Sequence, residues 1–234
     1  MERYQPDVKI RVIIPAFNEE EALPLVIDEI PKHLVNEIIV VDNGSKDGTY
    51  QVAIAKGATV LSENRPGYGS ACLRGIKYLK SKRQTTDIVV FLDGDHSDYP
   101  MEMPTLVNPI LHDDFDFVIG SRALGSKEKG AMTLPQIFGN WLATRLIQLF
   151  YGKKFSDLGP FRAITFDKLI LMDMQDTTFG WTVEMQLKAA KMNIKTVDVP
   201  VNYRKRIGKS KISGTIKGTL LAGYKIITTI FKYL

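Results

Sequence analysis

The chain has 234 residues, of which 44% are hydrophobic and 24% are charged. These fractions are ordinary for a folded globular protein and exclude a disordered chain or a fibrous repeat, and the length suits one domain with a short appended element. The single cysteine, Cys72, excludes an intrachain disulfide and a cysteine-rich metal site. The net charge of +5 includes a basic stretch over residues 204–232, which suits nucleic acid, anionic lipid or a phosphorylated substrate.

The N-terminus is polar and lacks the apolar stretch of a signal peptide. The sequence contains no uncharged run of about 18 apolar residues, so it does not predict a membrane-spanning helix. We therefore expect a cytoplasmic protein whose membrane contact is peripheral, on the cytoplasmic face.

Short apolar runs alternate with amphipathic stretches along the first 120 residues. The apolar runs predict strands at residues 10–15, 37–42, 58–61, 88–93 and 115–120. The amphipathic stretches predict helices at residues 20–33, 48–56, 69–83 and 101–112. This order predicts an α/β fold with an open, mostly parallel, doubly wound sheet and helices on both faces.

Beyond residue 125 the pattern predicts helices near 133–151 and 181–192, a loop over 157–162 and a strand over 196–203. We expect residues 1–212 to form one domain and residues 213–234 to form a C-terminal amphipathic helix. That helix carries Lys217, Lys225 and Lys232, which suits a membrane interface, although packing on the domain or in a dimer contact explains it equally well. Residues 141–150 are a second candidate for a bilayer-facing side.

Asp93-Gly94-Asp95 lie at the end of the fourth predicted strand. Carboxylates two residues apart project to the same side, and the glycine between them permits close approach. Such oxygen ligands suit Mg²⁺ or Mn²⁺, which complete their coordination with phosphate oxygens and water. The same pattern also occurs in solvated turns. Here it lies at the carboxyl edge of the sheet, where ligands of open α/β sheets bind, and this position favours a metal site.

Polar residues follow other predicted strands as well. Asp42 ends an apolar run and favours contact with a ligand, whereas residues 43–48 fit a turn and a helix start. Neither glycine-rich phosphate-binding motif, Gly-x-Gly-x-x-Gly or Gly-x-x-x-x-Gly-Lys-[Ser/Thr], is present. A diphosphate would therefore be held by a metal and by side-chain cations, for which the candidates are Arg122, Arg204, Arg206, Lys209 and Lys211.

Together the motifs resemble the family-two glycosyltransferases of GT-A fold. The resemblance rests on Ile14-Pro-Ala-Phe-Asn-Glu19, Val41-Asp-Asn-Gly-Ser45, Asp47-Gly-Thr49, Asn64-Arg-Pro-Gly-Tyr-Gly69, Asp93-Gly-Asp95 and Gly120-Ser-Arg122. Three later motifs are similar to those of the polyprenyl-phosphate hexose synthases, the dolichyl-phosphate mannose or glucose synthase group: Asp157-Leu-Gly-Pro-Phe-Arg162, Gly180-Trp-Thr-Val-Glu184 and Arg206-Ile-Gly-Lys-Ser-Lys211.

The resemblance implies a GT-A nucleotide-sugar transferase domain over residues 1–212 and a role for each matching position. Nucleotide binding would fall to Pro15, Phe17, Glu19, Asp42, Asp93 and Gly94. The metal, Mg²⁺ or Mn²⁺, would be held by Asp93 and Asp95. The catalytic set would comprise Asp95, Arg122, Asp157, Arg206 and Lys211. The acceptor side would be shaped by Arg162, Glu184 and Ser210.

The sequence departs from the mannose-type pattern in the run His96-Ser-Asp-Tyr-Pro100 after Asp95, and the family's arginine before the mid-chain helix is not evident near residues 133–140. Ser97 stands where that pattern has a glutamine, which leaves the metal's surroundings and the donor base open. His96 is either a metal ligand or, as is commoner for a lone histidine beside a carboxylate pair, an outer residue.

The resemblance implies inverting transfer of a hexose, from UDP-glucose before GDP-mannose, to a polyprenyl phosphate at a membrane surface. A phosphate acceptor is already ionised at neutral pH, so Asp157 is optional as a base. The same donor site could instead serve a glycan or lipid hydroxyl. A non-catalytic nucleotide- or nucleic-acid-binding module is the third interpretation, but we expect no nucleic acid because a polyanion binder needs no acidic pocket. A homo-oligomer is left open.

Overall fold

The structure is a computed structural model that describes residues 8–82, 85–208 and 216–233. Three predicted phosphate- or acceptor-side residues, Lys209, Ser210 and Lys211, lie outside the described residues.

Strands and helices alternate through the first half of the chain. The strands are β1 (Ile10–Ala16), β2 (Glu37–Asp42), β3 (Thr59–Ser62), β4 (Ile88–Phe91), β5 (Phe117–Ser121), β6 (Arg162–Thr165) and β7 (Thr196–Pro200). The helices are α1 (Leu23–Glu29), α2 (Thr49–Ala55), α3 (Tyr68–Ser81), α4 (Met103–His112), α5 (Leu134–Tyr151), α6 (Phe166–Met172), α7 (Trp181–Lys191) and α8 (Ile216–Lys232). Every predicted strand and helix is present. The predicted helix over 20–33 is the most shortened, because Ile30 is extended before Pro31.

The described strands form one sheet in the order β3-β2-β1-β4-β6-β5-β7. All neighbouring pairs are parallel except β4–β6 and β6–β5, which are antiparallel. The predicted open, mostly parallel, doubly wound sheet is therefore confirmed. Neither β6 nor α6 was expected from the sequence, and β6 lies between β4 and β5 in the sheet.

Hydrophobic side chains cover both faces of the sheet. On β1, Ile13 points into the cluster beneath α3, α5, α7 and α8, whereas Val12 and Ile14 point into the cluster beneath α1, α2 and α4. This alternation follows from the two-residue period of a strand. Each fully buried side chain of this kind stabilises the fold by roughly 1.5–3 kcal/mol. The two clusters fix the helices and thereby the loops at both edges of the sheet.

The C-terminal helix α8 packs on α5. The Tyr151 hydroxyl donates to the Ile230 carbonyl at 2.7 Å, and the rings of Phe150 and Phe231 meet edge to face at 5.5 Å. Ile230 is buried, whereas Tyr224 is exposed. In the described part of the chain, no helix combines the length and the apolar character needed to cross a bilayer. The predicted boundary between residues 212 and 213 stays a prediction.

Candidate active site

The loops after β1 and β2 are tied together at the carboxyl edge of the sheet. The Asn18 amide donates to Ser45 Oγ at 2.9 Å, and the Glu19 amide donates to Thr49 Oγ1 at 2.8 Å. Asn18 has φ 54°, a left-handed conformation that asparagine tolerates. These contacts hold the loop that carries Phe17, which is 41% exposed.

A cavity of about 310 Å³ opens beside these loops, within the size range of small-molecule sites. It brings together most of the residues predicted to bind the nucleotide or the metal. Its lining consists of Pro15, Ala16, Phe17, Glu19, Asn43, Pro66, Gly67, Tyr68, Ala71, Asp93, Gly94, Asp95, Phe179 and Arg206.

Asn43, and not its neighbour Asp42, lines this cavity. Asp42 Oδ1 accepts from the Ser45 amide at 3.1 Å and so belongs to the turn after β2. The Asn43 side chain donates to the carbonyls of Glu63 and Arg65 and accepts from the Gly67 amide at 2.7 Å. It therefore joins the turn to the segment before α3. The predicted contact between Asp42 and a nucleotide stays a prediction.

The start of α3 packs backbone to backbone against residues 176–178. The Ser70 amide donates to the Thr177 carbonyl at 3.0 Å. A Cβ atom on Gly67 would lie 2.1 Å from the Thr177 oxygen, and one on Gly69 would lie 2.0 Å from the Asp176 oxygen. Only glycine fits at either position. This close packing brings Phe179 into the cavity wall.

Asp93 and Asp95 face the same cavity. Asp93 Oδ1 is buried and has no hydrogen-bond partner among the described residues. Asp95 is 5% exposed, and its Oδ1 accepts from the Ser97 amide at 3.0 Å and the Ser97 hydroxyl at 2.5 Å. Burial, and then the negative charge of Asp95, raise the pKa of Asp93 to about 7.

Arg206 supplies positive charge to this carboxylate pair. Its Nη2 lies 2.7 Å from Asp95 Oδ2 and 3.6 Å from Glu19 Oε1. The Ile207 amide donates to the Asp95 carbonyl at 3.0 Å, so the segment after β7 lies directly against the loop that follows β4. The Arg206 side chain is one-third exposed and is accessible from the cavity.

Arg122 and Asp157 form a buried ion pair that does not line the cavity. Asp157 is fully buried, and it accepts from the Arg122 amide at 2.7 Å, from Nε at 2.8 Å and from Nη2 at 2.7 Å. Burial alone would raise the pKa of Asp157, but Arg122 outweighs burial and holds that pKa below its ordinary value. Tyr203 stacks under the guanidinium, 5.0 Å away. Because both carboxylate oxygens are engaged, Asp157 is poorly placed to accept a further proton.

Asp98 is a buried acid that the sequence pattern does not indicate. It is 2% exposed, and neither carboxylate oxygen has a hydrogen-bond partner among the described residues. Burial, followed by the charges of Asp93 and Asp95, raises its pKa well above the ordinary value, while Arg122 opposes the shift. No sequence signal separates Asp98 from an exposed turn residue, because acids in turns are usually solvated.

His96 and Arg204 both contact the carboxylate of Glu29. His96 Nε2 lies 2.9 Å from Glu29 Oε1, and Arg204 Nη2 lies 2.6 Å from Glu29 Oε2. Arg204 also stacks on the Tyr99 ring at 4.3 Å. Through Glu29, His96 joins α1 to the loop after β4, and Arg204 joins α1 to the segment after β7. Neither residue lines the cavity, and the role of His96 stays a prediction.

Arg162 and Glu184, predicted on the acceptor side, are fully buried. Arg162 donates to the carbonyls of Gly159, Leu158 and Thr182. Glu184 accepts from the backbone amides of residues 175 and 176. Both side chains hold loops in place, and their predicted acceptor-side role stays a prediction.

The donor set fits a divalent cation. Mg²⁺ and Mn²⁺ take one or two protein carboxylates and complete their shell with phosphate oxygens and water. Asp93, whose Oδ1 is unpartnered, and Asp95 supply carboxylates of this kind on one cavity wall. In residues 8–82, 85–208 and 216–233, no group of three or more His, Cys, Asp or Glu side chains could hold a metal by itself.

Comparison with known proteins gives the family. Residues 11–171 match the family described as Glycosyl transferase family 2. The chain belongs to this family. This glycosyltransferase is 34% identical over 217 residues to an uncharacterised glycosyltransferase of Mycobacterium tuberculosis, covering 91% of this chain and 94% of that one. It is 29% identical over 227 residues to an undecaprenyl-phosphate mannosyltransferase of Micrococcus luteus, covering 90% of each.

Among solved structures, the glycosyltransferase resembles glucosyl-3-phosphoglycerate synthase of Mycobacterium tuberculosis in complex with Mn²⁺, UDP-glucose and phosphoglyceric acid. The TM-score is 0.75 at 25% identity, covering 97% of this chain and 80% of that one. The predictions of a GT-A fold, a nucleotide-sugar transferase and a divalent metal cofactor are confirmed by these comparisons.

Proposed function

We propose that this glycosyltransferase transfers a hexose from a nucleoside diphosphate sugar to the phosphate of a polyprenyl-phosphate lipid, as a peripheral protein on the cytoplasmic face of a membrane. The observation that carries the proposal is the α5–α8 surface, formed by exposed apolar side chains on two packed helices. Its members are Leu134, Ile137, Phe138, Trp141, Leu149, Phe150, Leu221, Tyr224 and Phe231.

The charge around the α5–α8 surface suits an anionic lipid headgroup. Residues 134–151 and 216–232 contain no acidic residue, and Arg145, Lys153, Lys154 and Lys232 lie in or beside the two helices. Aromatic side chains flanked by lysine and arginine are typical of helices at a membrane interface. Residues 213–234 would serve in this way as the membrane-interfacial segment appended to the transferase domain.

Donor binding is proposed for the cavity at the carboxyl edge. Pro15 and Phe17 would pack against the nucleoside, and Gly94 would lie along the diphosphate. Asp93 and Asp95 would hold the divalent cation, whose charge would stabilise the diphosphate as a leaving group. Our first candidate donor is UDP-glucose, the ligand in the solved relative, and GDP-mannose is the second.

The proposed reaction is an inverting displacement at the anomeric carbon. An oxygen of the lipid phosphate forms the new bond to that carbon as the bond to the nucleoside diphosphate breaks. The acceptor phosphate is ionised at neutral pH and needs no strong base, which agrees with the engagement of Asp157 by Arg122. Arg206, which already faces the cavity, would orient phosphate oxygens and offset their charge. The name of the Micrococcus luteus relative supports a polyprenyl-phosphate acceptor.

A hydroxyl acceptor on a small molecule is the second candidate. It is favoured by the structural similarity to an enzyme solved with phosphoglyceric acid, over 97% of this chain. Arg206, which lines the cavity, would also contact the phosphate group of a small phosphorylated acceptor. It would leave the α5–α8 surface without a role.

Transfer of radiolabelled glucose from UDP-glucose in the presence of Mn²⁺ separates the two candidates. Polyprenyl phosphate in vesicles and soluble 3-phosphoglycerate are offered in parallel, and the label is measured in the organic and aqueous phases. We expect label in the organic phase when polyprenyl phosphate is the acceptor, and no labelled product when 3-phosphoglycerate is the acceptor. GDP-mannose and UDP-N-acetylglucosamine test the donor.

Two variants serve as controls for the transfer assay. Asp95→Asn should abolish turnover with every acceptor, whereas Asp113→Asn, at an exposed residue, should leave turnover unchanged. Label that appears only on 3-phosphoglycerate would overturn the polyprenyl-phosphate proposal and favour the second candidate.

A further inference from the structure

One side of α8 lies against the loop between α6 and α7, residues 173–180. The contacts come from residues spaced four apart, which share one side of a helix. They are Lys225 and Thr229 on α8, and Tyr233 directly after it. The second half of α8 therefore faces this loop along its length.

Lys225 forms an ion pair with Asp176 in this loop. Lys225 Nζ lies 2.9 Å from Asp176 Oδ2, and the Asp176 side chain is only 9% exposed. The other oxygen, Asp176 Oδ1, accepts from the Thr178 amide at 2.7 Å. Burial would raise the pKa of Asp176, but the hydrogen bonds from Lys225 and Thr178 outweigh burial and hold that pKa below its ordinary value. Asp176 therefore joins α8 to the turn that precedes Phe179.

Gly180 and Glu184 extend the contact between α8 and the loop. A Cβ atom on Gly180 would lie 2.5 Å from Asp176 Oδ2 and 2.7 Å from Thr229 Oγ1, so this close approach requires a residue without a side chain. The Tyr233 hydroxyl donates to Glu184 Oε1 at 2.6 Å. The same carboxylate accepts from two backbone amides of the loop. The loop is therefore fixed against α8 at several points.

The other side of the loop forms part of the donor cavity, the cavity of about 310 Å³ at the carboxyl edge of the sheet. Phe179 lines this cavity beside Tyr68. The Ser70 amide and hydroxyl donate to the Thr177 carbonyl at 3.0 and 3.2 Å. Residues 176–179 thus lie between α8 and the space proposed for the nucleoside diphosphate. Because protein interiors are close-packed, a displacement of this loop would change the shape of the cavity wall.

We propose that α8 positions Phe179 in the wall of the donor cavity through the Lys225–Asp176 ion pair, and thereby raises the affinity of the cavity for a nucleoside diphosphate. Lys225 and Asp176 are positioning residues, and Phe179 would contact the nucleotide. This inference rests on the donor cavity of the proposed function. It gives α8 a second role, because Tyr224 and Phe231 on another side of the helix belong to the α5–α8 surface.

Binding of UDP and of GDP to the full chain with Mn²⁺, measured by calorimetry, tests the inference. Loss of a partly exposed ion pair changes an equilibrium constant by at most about fivefold, and reversal of one charge adds repulsion to that loss. Lys225→Glu should therefore raise the dissociation constant of the nucleotide that the wild type binds by about five- to tenfold. Lys225→Arg, which keeps the charge, should bind as the wild type does. Both variants should unfold within about 3 °C of the wild type.

Two comparisons separate positioning from a general effect of charge or stability. Lys195→Glu makes the same charge change in an exposed ion pair with Asp114, before β7 at the opposite edge of the sheet, and should leave nucleotide binding unchanged. In a Phe179→Ala background, Lys225→Glu should lose most of its effect, because the side chain that the ion pair positions is missing.

Equal nucleotide affinity of Lys225→Glu and the wild type would overturn the inference, as would an undiminished effect of Lys225→Glu in the Phe179→Ala background. Both results would leave the donor cavity intact, because the wild type still binds the nucleotide. A wild type that binds neither UDP nor GDP would instead refute the donor cavity itself, and this inference with it.

Discussion

Replacing Asp157 with asparagine tests whether this acid stabilises the structure through Arg122. Asp157 is fully buried, the Arg122 side chain is 13% exposed, and three hydrogen bonds of 2.7–2.8 Å join the two residues. The neutral amide would leave a guanidinium without its charge partner, which costs about 3–5 kcal/mol in buried pairs. Domains of this size are typically stable by about 5–15 kcal/mol, so the transition temperature should fall by roughly 6–20 °C.

Thermal and urea unfolding of Asp157→Asn, Arg122→Gln and the double variant measure this coupling. The double variant should lose less free energy than the two single variants together, because it leaves no unpaired charge. Asp114→Asn is the matched control. Asp114 pairs with Lys195 on the exposed surface, and asparagine tolerates its φ of 58°, so its transition should not move. An unchanged transition for Asp157→Asn, with turnover lost, would refute the structural assignment and restore Asp157 as a base.

Three further changes test the site and the membrane surface. Gly69→Ala should lower the free energy of unfolding by about 1–3 kcal/mol in urea, because its Cβ would overlap a carbonyl, whereas Gly94→Ala, whose Cβ would meet its nearest atom at 3.5 Å, should not. Equal costs would contradict the packing described. Burial and the charge of Asp95 raise the pKa of Asp93 to about 7 in the metal-free protein, so a proton competes with the metal for this carboxylate as the pH falls through that value. Mn²⁺ affinity should therefore rise from pH 6 to pH 8, with proton release at the lower pH, in calorimetry with two buffers; a flat profile would refute this. Phe138→Ser/Trp141→Ser, at exposed positions, should weaken sedimentation with anionic vesicles at least tenfold at unchanged stability, and undiminished sedimentation would contradict a membrane role.

The sequence predicts the parallel part of the fold because each of those strands is an apolar run bounded by turn residues. β6 carries no such signal. Its four residues begin with Arg162 and end with Thr165. A segment this short, with a charged residue at one end, does not predict a buried strand. β6 forms because it pairs with β4 on one side and with β5 on the other, and because the buried Arg162 side chain donates hydrogen bonds to backbone carbonyls. These partners are distant in sequence, so local pattern cannot reveal them.

The candidate site divides in the same way. The side chains that follow β1 and β4 were expected to meet, and the structure brings Phe17, Glu19, Asp93 and Asp95 to one cavity. The turn after β2 was harder to predict, because whether Asp42 or Asn43 faces the cavity depends on one backbone rotation. The burial of Arg162 and Glu184 was also difficult to predict. Charged residues are mostly exposed, so no sequence pattern indicates that a particular pair will be buried as supports for loops.

The charges at the carboxyl edge give a physical reason for a cation there. Asp93, Asp95 and Asp98 lie within six residues of the chain, and burial together with mutual repulsion raises the pKa of Asp93 and of Asp98. Such a cluster costs stability in the free protein, and Arg206, which contacts Asp95, offsets only part of it. Perturbed carboxyl groups of this kind gather at functional sites. A divalent cation would relieve the repulsion directly, so the same arrangement that strains the free protein favours binding of the metal on which its family depends.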